Sequence, residues 1–235
     1  MNPWEDARVQ RGMTAQLAKR RERIAAGEKP LGWKMGFGAP AAREKLHIDA
    51  PLIGYLMHGA LLQSGATVNV TGWTQPVIEP EIGAQLVRDI GMGSTPAAAR
   101  SAIASLEPAI ELADLNLAAT AENIDAVLSG DIYQRYIILG SRRRDGGDTM
   151  GLVSRVTRRG KLADETSDPQ ALTGKIPELL VHLADTLDAF GEKLRAGDLV
   201  ICGSTVPPAL IEPDELEYFY ELSPIGAVSA RFARA

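Results

Sequence analysis

The run Pro76-Val-Ile-Glu-Pro-Glu-Ile-Gly83 holds two acidic residues, Glu79 and Glu81, among apolar neighbours. In a strand, residues i and i+2 face the same way, so the two carboxylates project together. Like charges this close repel unless a proton or a cation intervenes. A hard divalent ion such as Mg²⁺ or Mn²⁺, which takes oxygen ligands, meets that need. The same pair on the wet face of an antiparallel strand would be merely solvated.

A third carboxylate lies in Leu106-Glu-Pro-Ala-Ile-Glu-Leu-Ala-Asp114, where Glu111 sits between Ile110 and Leu112. A carboxylate in an apolar setting calls for a proton or a cation, whereas on an exposed strand edge it would simply be solvated. Three carboxylates around one ion leave about three octahedral positions for water or substrate. Lys34, in Gly32-Trp-Lys-Met-Gly36, has glycines on both sides that permit close backbone approach. It could bind an anion or move a proton, or lie along the surface. Gly203-Ser204-Thr205 follows a strand and offers N–H and hydroxyl groups to a substrate carboxylate, or forms a plain turn. Of the three histidines, His58 closes a strand and is the candidate to watch.

The elements that must position these groups read as follows. Val9, Met13, Leu17 and Ile24 recur at helical spacing, so residues 4–27 are predicted as an amphipathic helix. A strand is predicted over 31–37 and a short helix over 41–46. Further strands are predicted at 53–57, 66–70, 76–88, 106–115, 133–140, 150–158, 198–202, 215–222 and 225–232. Helices fall at 95–104, 121–128 and 175–191, the last with Pro177 in its first turn. Strands and helices do not alternate, which argues against a doubly wound parallel sheet. The expectation is an α+β fold: a mixed, strongly curved β-roll with peripheral helices. It divides into a helical arm at 1–30 and a catalytic unit at 31–235.

Charge and composition narrow the function. A net charge of -5 argues against general nucleic-acid binding, so the basic clusters 19–23 and 142–144 read as solvated faces. No apolar stretch has the length of a membrane span, and the N-terminus lacks a signal-peptide pattern. Cys202 is the single cysteine, which rules out an intrachain disulfide and fits a cytoplasmic setting. Gly36-Phe-Gly38-Ala-Pro-Ala41 matches a dinucleotide-binding turn only loosely, without the repeated βαβ units that such a turn needs.

Five motifs stand in order: Gly32-Trp-Lys-Met-Gly36, Ile78-Glu-Pro-Glu-Ile82, Pro108-Ala-Ile-Glu-Leu112, Leu194-Arg-Ala-Gly-Asp198 with Gly203-Ser204, and Ile225-Gly-Ala-Val-Ser229. With them the chain resembles, from about Met13 to Phe232, the 2-keto-4-pentenoate hydratase and 4-oxalocrotonate decarboxylase branch of the fumarylacetoacetate hydrolase superfamily. The resemblance implies Mg²⁺ or Mn²⁺ held by Glu79, Glu81 and Glu111, and an active-site lysine at Lys34. It also implies a homo-oligomer and a small 2-oxo or 2-hydroxydienoic acid as substrate.

Two segments depart from the branch. A family Asp aligns at Gly59, with His58 beside it as a replacement acid or base. A family Asn-Ala-Ser run aligns near Asp131-Ile-Tyr133, which makes Asp131 a substrate-binding candidate. The expected reaction is hydration of a short 2-hydroxydienoate. Decarboxylation, carbon–carbon hydrolysis and a non-catalytic partner subunit are the alternatives. A hydrolase would be expected to carry a His–Glu pair in a lid; residues 39–46 offer Glu44 with His47 just beyond.

Overall fold

The computed structural model describes residues 2–141 and 143–234. Arg142, one of the basic cluster 142–144, lies outside them. The chain opens with a short 3₁₀ turn and α1 (Ala7–Ala25), which starts later than the pattern predicts because the Asp6 carboxylate caps it by accepting from the Arg8 N–H. Then come β1 (Pro30–Gly36), α2 (Pro40–Leu46), β2 (Leu52–Met57), β3 (Leu61–Gln63) and β4 (Ala66–Asn69). The long strands β5 (Pro76–Leu86) and β6 (Ile103–Asp114) flank α3 (Pro96–Ser101), and α4 (Ile124–Ser129) precedes β7 (Gln134–Leu139). There follow β8 (Arg144–Asp145), β9 (Val153–Arg158), β10 (Lys161–Thr166) and α5 (Ile176–Ala189). The chain closes with β11 (Leu199–Ser204), β12 (Ala209–Leu210), β13 (Glu217–Ser223) and β14 (Gly226–Ala233).

Among the described residues the strands form two sheets. The larger runs β2-β1-β11-β5-β6-β7-β3, with β12 added to β5 and β8 to β6; the smaller runs β10-β9-β13-β14-β4. Pairs β1–β11, β3–β7 and β4–β14 are parallel and the rest antiparallel, so the sheets are mixed, and the larger one curls into a half-barrel. The expected roll with peripheral helices is the fold observed.

One apolar core joins the sheets to the helices. Met13 and Leu17 of α1 meet it beside Ile124 and Leu128 of α4, and Leu180, Leu183 and Leu187 of α5 close another side. Strand β10 was not predicted, because its Lys161-Leu-Ala-Asp-Glu-Thr166 is exposed on both faces and shows no alternation. The hairpin before it turns through Arg159 and Gly160, both at positive φ, the backbone of a type I′ turn. No helix among the described residues is long and apolar enough to cross a membrane.

Candidate active site

The register of β5 against β6 sets Glu79 directly opposite Glu111, with Glu81 two residues along the same face and opposite Ala109. Like charges directly across a strand pair are destabilising, so something must hold them there. Part of the answer lies in β11. Ile201 pairs with Gly83 but Ser204 pairs with Glu81, so β11 carries one extra residue. Gly203 takes the positive φ of that bulge, +90°. The bulge turns the Gly203 N–H onto Glu81 Oε2 at 2.7 Å. Pro80 accepts from the Thr205 N–H on that side, so its own missing donor falls where the ladder is already broken.

Lys34 reaches this cluster because the sheet curls. Strands β1 and β6 stand three spacings apart, roughly 14 Å if the sheet were flat. Yet Lys34 Nζ donates to Glu111 Oε1 in a short contact, and also to the Ile132 carbonyl at 3.1 Å. Gly54, opposite Lys34 in β2, leaves room for this: a Cβ there would lie 2.8 Å from Lys34 Cγ and 2.9 Å from Asp131 Oδ1. The Ile132 carbonyl is presented by three successive left-handed residues, Asp131, Ile132 and Tyr133, at φ of 57°, 49° and 65°. A β-branched residue there is a true outlier, and such strain gathers at functional sites. Asp131 anchors the turn by accepting from the Tyr55 N–H at 2.8 Å.

Burial and mutual repulsion set the protonation. Burial first, then Glu111, pushes Glu79 up to about 7, with Lys34 opposing. Burial, with Glu111 and Glu79 adding, raises Glu81 well above the carboxylate range. Asp131 rises to about 8 through burial, against the pull of Lys34. For Lys34 burial alone would lower the pKa. The charge and hydrogen bond of Glu111 more than offset it, holding the ammonium above its usual range.

Lys34, Glu79 and Glu111 lie at the base of a cavity of about 350 Å³. Lys34, Glu79, Glu111, Gly203 and Ser204 line it, while Glu81 stands just behind Gly203. The outer wall is apolar, built from Phe37, Val77, Leu115, Leu172, Pro208 and Leu210.

Several expected roles change with the geometry. His58 is not part of the cluster: it is exposed, its N–H donates to the Lys29 carbonyl, and it sits four residues, roughly 13 Å, along β2 from Gly54. Gly59 is exposed as well, with Glu28 as its nearest side-chain neighbour. Asp131 is not on the cavity wall but behind Lys34; its neighbours Ile132 and Tyr133 form the wall. Gly203 and Ser204 reach the cavity, but their donors are committed to Glu81 and to the Val206 carbonyl. Glu44 and His47 are exposed and off the wall. Cys202 is buried. The left-handed turn at Asp131-Ile-Tyr133 is not legible in the sequence, since Ile and Tyr are not residues that mark a positive-φ bend.

Among the described residues no three His, Cys, Asp or Glu side chains stand ready converged on one point. Glu111 is drawn onto Lys34, and one oxygen of Glu81 onto Gly203. The donor set nevertheless suits a hard divalent cation, being all carboxylate oxygen. Glu81 Oε1 is buried without a hydrogen-bond partner among the described residues, and such an atom needs a cation or a proton.

Residues 32–232 match the model of the family described as fumarylacetoacetate (FAA) hydrolase C-terminal. The 2-keto-4-pentenoate hydratase of Paraburkholderia xenovorans (strain LB400) is 26% identical over 234 residues, covering 97% of this chain and 85% of the relative. The 2-hydroxyhexa-2,4-dienoate hydratase of Comamonas testosteroni is 27% identical over 192 residues, 80% of this chain and 72% of the relative. Among solved structures, 4-oxalocrotonate decarboxylase from Pseudomonas putida G7, complexed with magnesium and adipate, superposes with a TM-score of 0.84. It is 24% identical and covers 93% of this chain and 83% of that one.

Proposed function

The chain belongs to the fumarylacetoacetate hydrolase family, and on that premise we propose that it is a metal-dependent hydratase of 2-hydroxydienoic acids. The observation that carries this reading is the meeting of Glu79, Glu111 and the Lys34 ammonium at the base of one cavity, with Glu81 on the same strand face just behind it. Named hydratases among its relatives support it. Glu79, Glu81 and Glu111 would hold Mg²⁺ or Mn²⁺, which supplies positive charge for the C1 carboxylate and C2 oxygen of the substrate.

The remaining work falls to the chain itself. The enol proton leaves O2 and a proton is gained at C5, giving a 2-oxo-3-enoate. Water oxygen then adds at C4 and a proton ends on C3. The sum is the addition of one water, with no redox change. Lys34, whose Nζ reaches the cavity beside Glu111 and the Ile132 carbonyl, would hand a proton to the carbon framework. The Ile132 carbonyl keeps Nζ aimed into the cavity if Glu111 turns toward the cation. The apolar outer wall limits competing water. A hydrolytic reading finds no support in α2, whose Glu44 faces solvent.

The test is loss of dienoate absorbance for 2-hydroxypenta-2,4-dienoate in Mg²⁺, with CO₂ release measured beside it. Absorbance should fall without CO₂, and EDTA or Glu81→Gln should reduce the rate at least 100-fold. A rate that EDTA leaves untouched, or no turnover of any 2-hydroxydienoate, would refute the proposal.

A further inference from the structure

The carboxylates fix one end of the substrate, and the strand register shows what lies beyond it. Glu79 pairs with Glu111 and Val77 with Ala113, so the step outward along β5 is matched by a step along β6. Leu115 continues the wall, its N–H bonded to the Gln75 carbonyl. Two residues of strand advance roughly 7 Å and four roughly 14 Å. Val77 and Ala113 therefore stand about 7 Å past the Glu79–Glu111 pair, and Leu115 about twice as far. From C2 to C5 of an acid there are three bonds of about 1.5 Å, under ~5 Å in all. The cavity runs on past the end of a five-carbon substrate.

That outer part holds no free charge of either sign. Lys34 is the one cation lining the cavity among the described residues, and its protons go to Glu111 and the Ile132 carbonyl. Arg158 comes near the mouth by donating to the Leu210 carbonyl, but its guanidinium clasps the buried Glu215. The hydroxyls are occupied too: Tyr133 donates to the Leu117 carbonyl at 2.6 Å and Thr173 to the Cys202 carbonyl at 3.4 Å. Leu210 lies beside Val77 through the β12–β5 pairing, which closes the apolar wall across the strands. A second carboxylate placed here would be desolvated without a partner.

We infer that the preferred substrate is a monocarboxylic 2-hydroxydienoate longer than five carbons, with an uncharged apolar tail on C5 lying along Val77, Leu115 and Leu210. This rests on the hydratase reading above and names its substrate class. It separates the chain from a decarboxylase of 4-oxalocrotonate, whose named substrate carries two carboxylates.

The test compares kcat/KM in saturating Mg²⁺ across 2-hydroxydienoates bearing hydrogen, methyl, propyl or a terminal carboxylate on the C5 side. Each buried methylene should raise kcat/KM about three- to fourfold. The dicarboxylate should fall at least 100-fold below the propyl compound. Leu210→Arg, at a partly exposed position that tolerates a long side chain, should move the dicarboxylate-to-propyl ratio at least tenfold toward the dicarboxylate. Hydration of the dicarboxylate at a rate equal to the propyl compound, or a flat response to chain length, would overturn the inference and leave the hydratase reading standing. Absence of turnover with every member would remove both.

Discussion

Replacing Glu79 by Gln should stabilise the metal-free protein while removing its activity. Burial and the facing Glu111 raise this carboxyl from 4.5 to about 7, against the attraction of Lys34. The unfolded chain releases the proton near 4.5, whereas the folded chain keeps it to about 7. Between those values the folded state binds more protons, so wild-type stability falls as pH rises through this window and levels off above it. At about 1.4 kcal/mol per unit, the whole window is worth about 3 kcal/mol. Glu79→Gln carries no such proton, so at pH 8 it should exceed the wild type by about 2–3 kcal/mol, roughly 4–12 °C in Tm for a chain of this size. Near pH 4.5 the difference should vanish. The assay is urea unfolding in EDTA at both pH values. Adding Mg²⁺ should then stabilise the wild type but not the variant, since ligand binding adds to stability only where the site exists. A Glu79→Gln protein no more stable than wild type at pH 8, or a gain independent of pH, would refute the reasoning.

Other expectations follow from particular contacts. Glu215 is fully buried and pairs with Arg158, so Glu215→Ala strands the guanidinium and should lower stability by about 3–5 kcal/mol in urea unfolding. Gly54→Ala forces a Cβ into the space of Lys34 and Asp131; kcat should drop at least tenfold, with a stability loss of about 1–3 kcal/mol. His182 donates to the Pro51 carbonyl, and burial holds its pKa below 6.5 despite that bond. The unfolded chain then takes up a proton that the folded chain refuses. The resulting loss of stability grows as pH falls below 6.5 and is absent above it. His182→Gln should abolish that component, read as the difference between the two proteins in unfolding midpoints from pH 7.5 to 5.5.

The acidic cluster was legible because its spacing is local. Two glutamates at i and i+2 in an apolar strand must share a face, and Glu111 announces itself by apolar neighbours on both sides. Lys34 was legible only as one of two readings, since flanking glycines suit a surface lysine equally, and the family resemblance singled it out. His58 was singled out because it ends a strand beside the position of a family Asp; the pairing of Lys34 with Gly54 shows that the part of β2 facing the cluster lies four residues earlier. Asp131 was singled out as a substrate-binding candidate through a family alignment; the structure sets it behind Lys34, accepting from the Tyr55 N–H, in a left-handed turn that its Ile and Tyr do not announce. The curl that joins β1 to β6 is a long-range property of the sheet, and strand patterns carry no trace of it.

The arrangement implies an order of demands on Glu111. The same carboxylate that neutralises Lys34 is one that a divalent cation would need, and one oxygen cannot serve both fully. Were Lys34 held by Glu111 alone, binding of a cation would free the ammonium to leave the cavity. The Ile132 carbonyl prevents that: it holds Nζ independently of any carboxylate. Its position depends on a strained turn tied to β2 through Asp131 and Tyr55. Strain at Ile132 is thus tolerated where a relaxed backbone would let the proton donor drift. On the proposed function, it is a local loss of stability that would keep Lys34 aimed into the cavity when the glutamates turn to a cation.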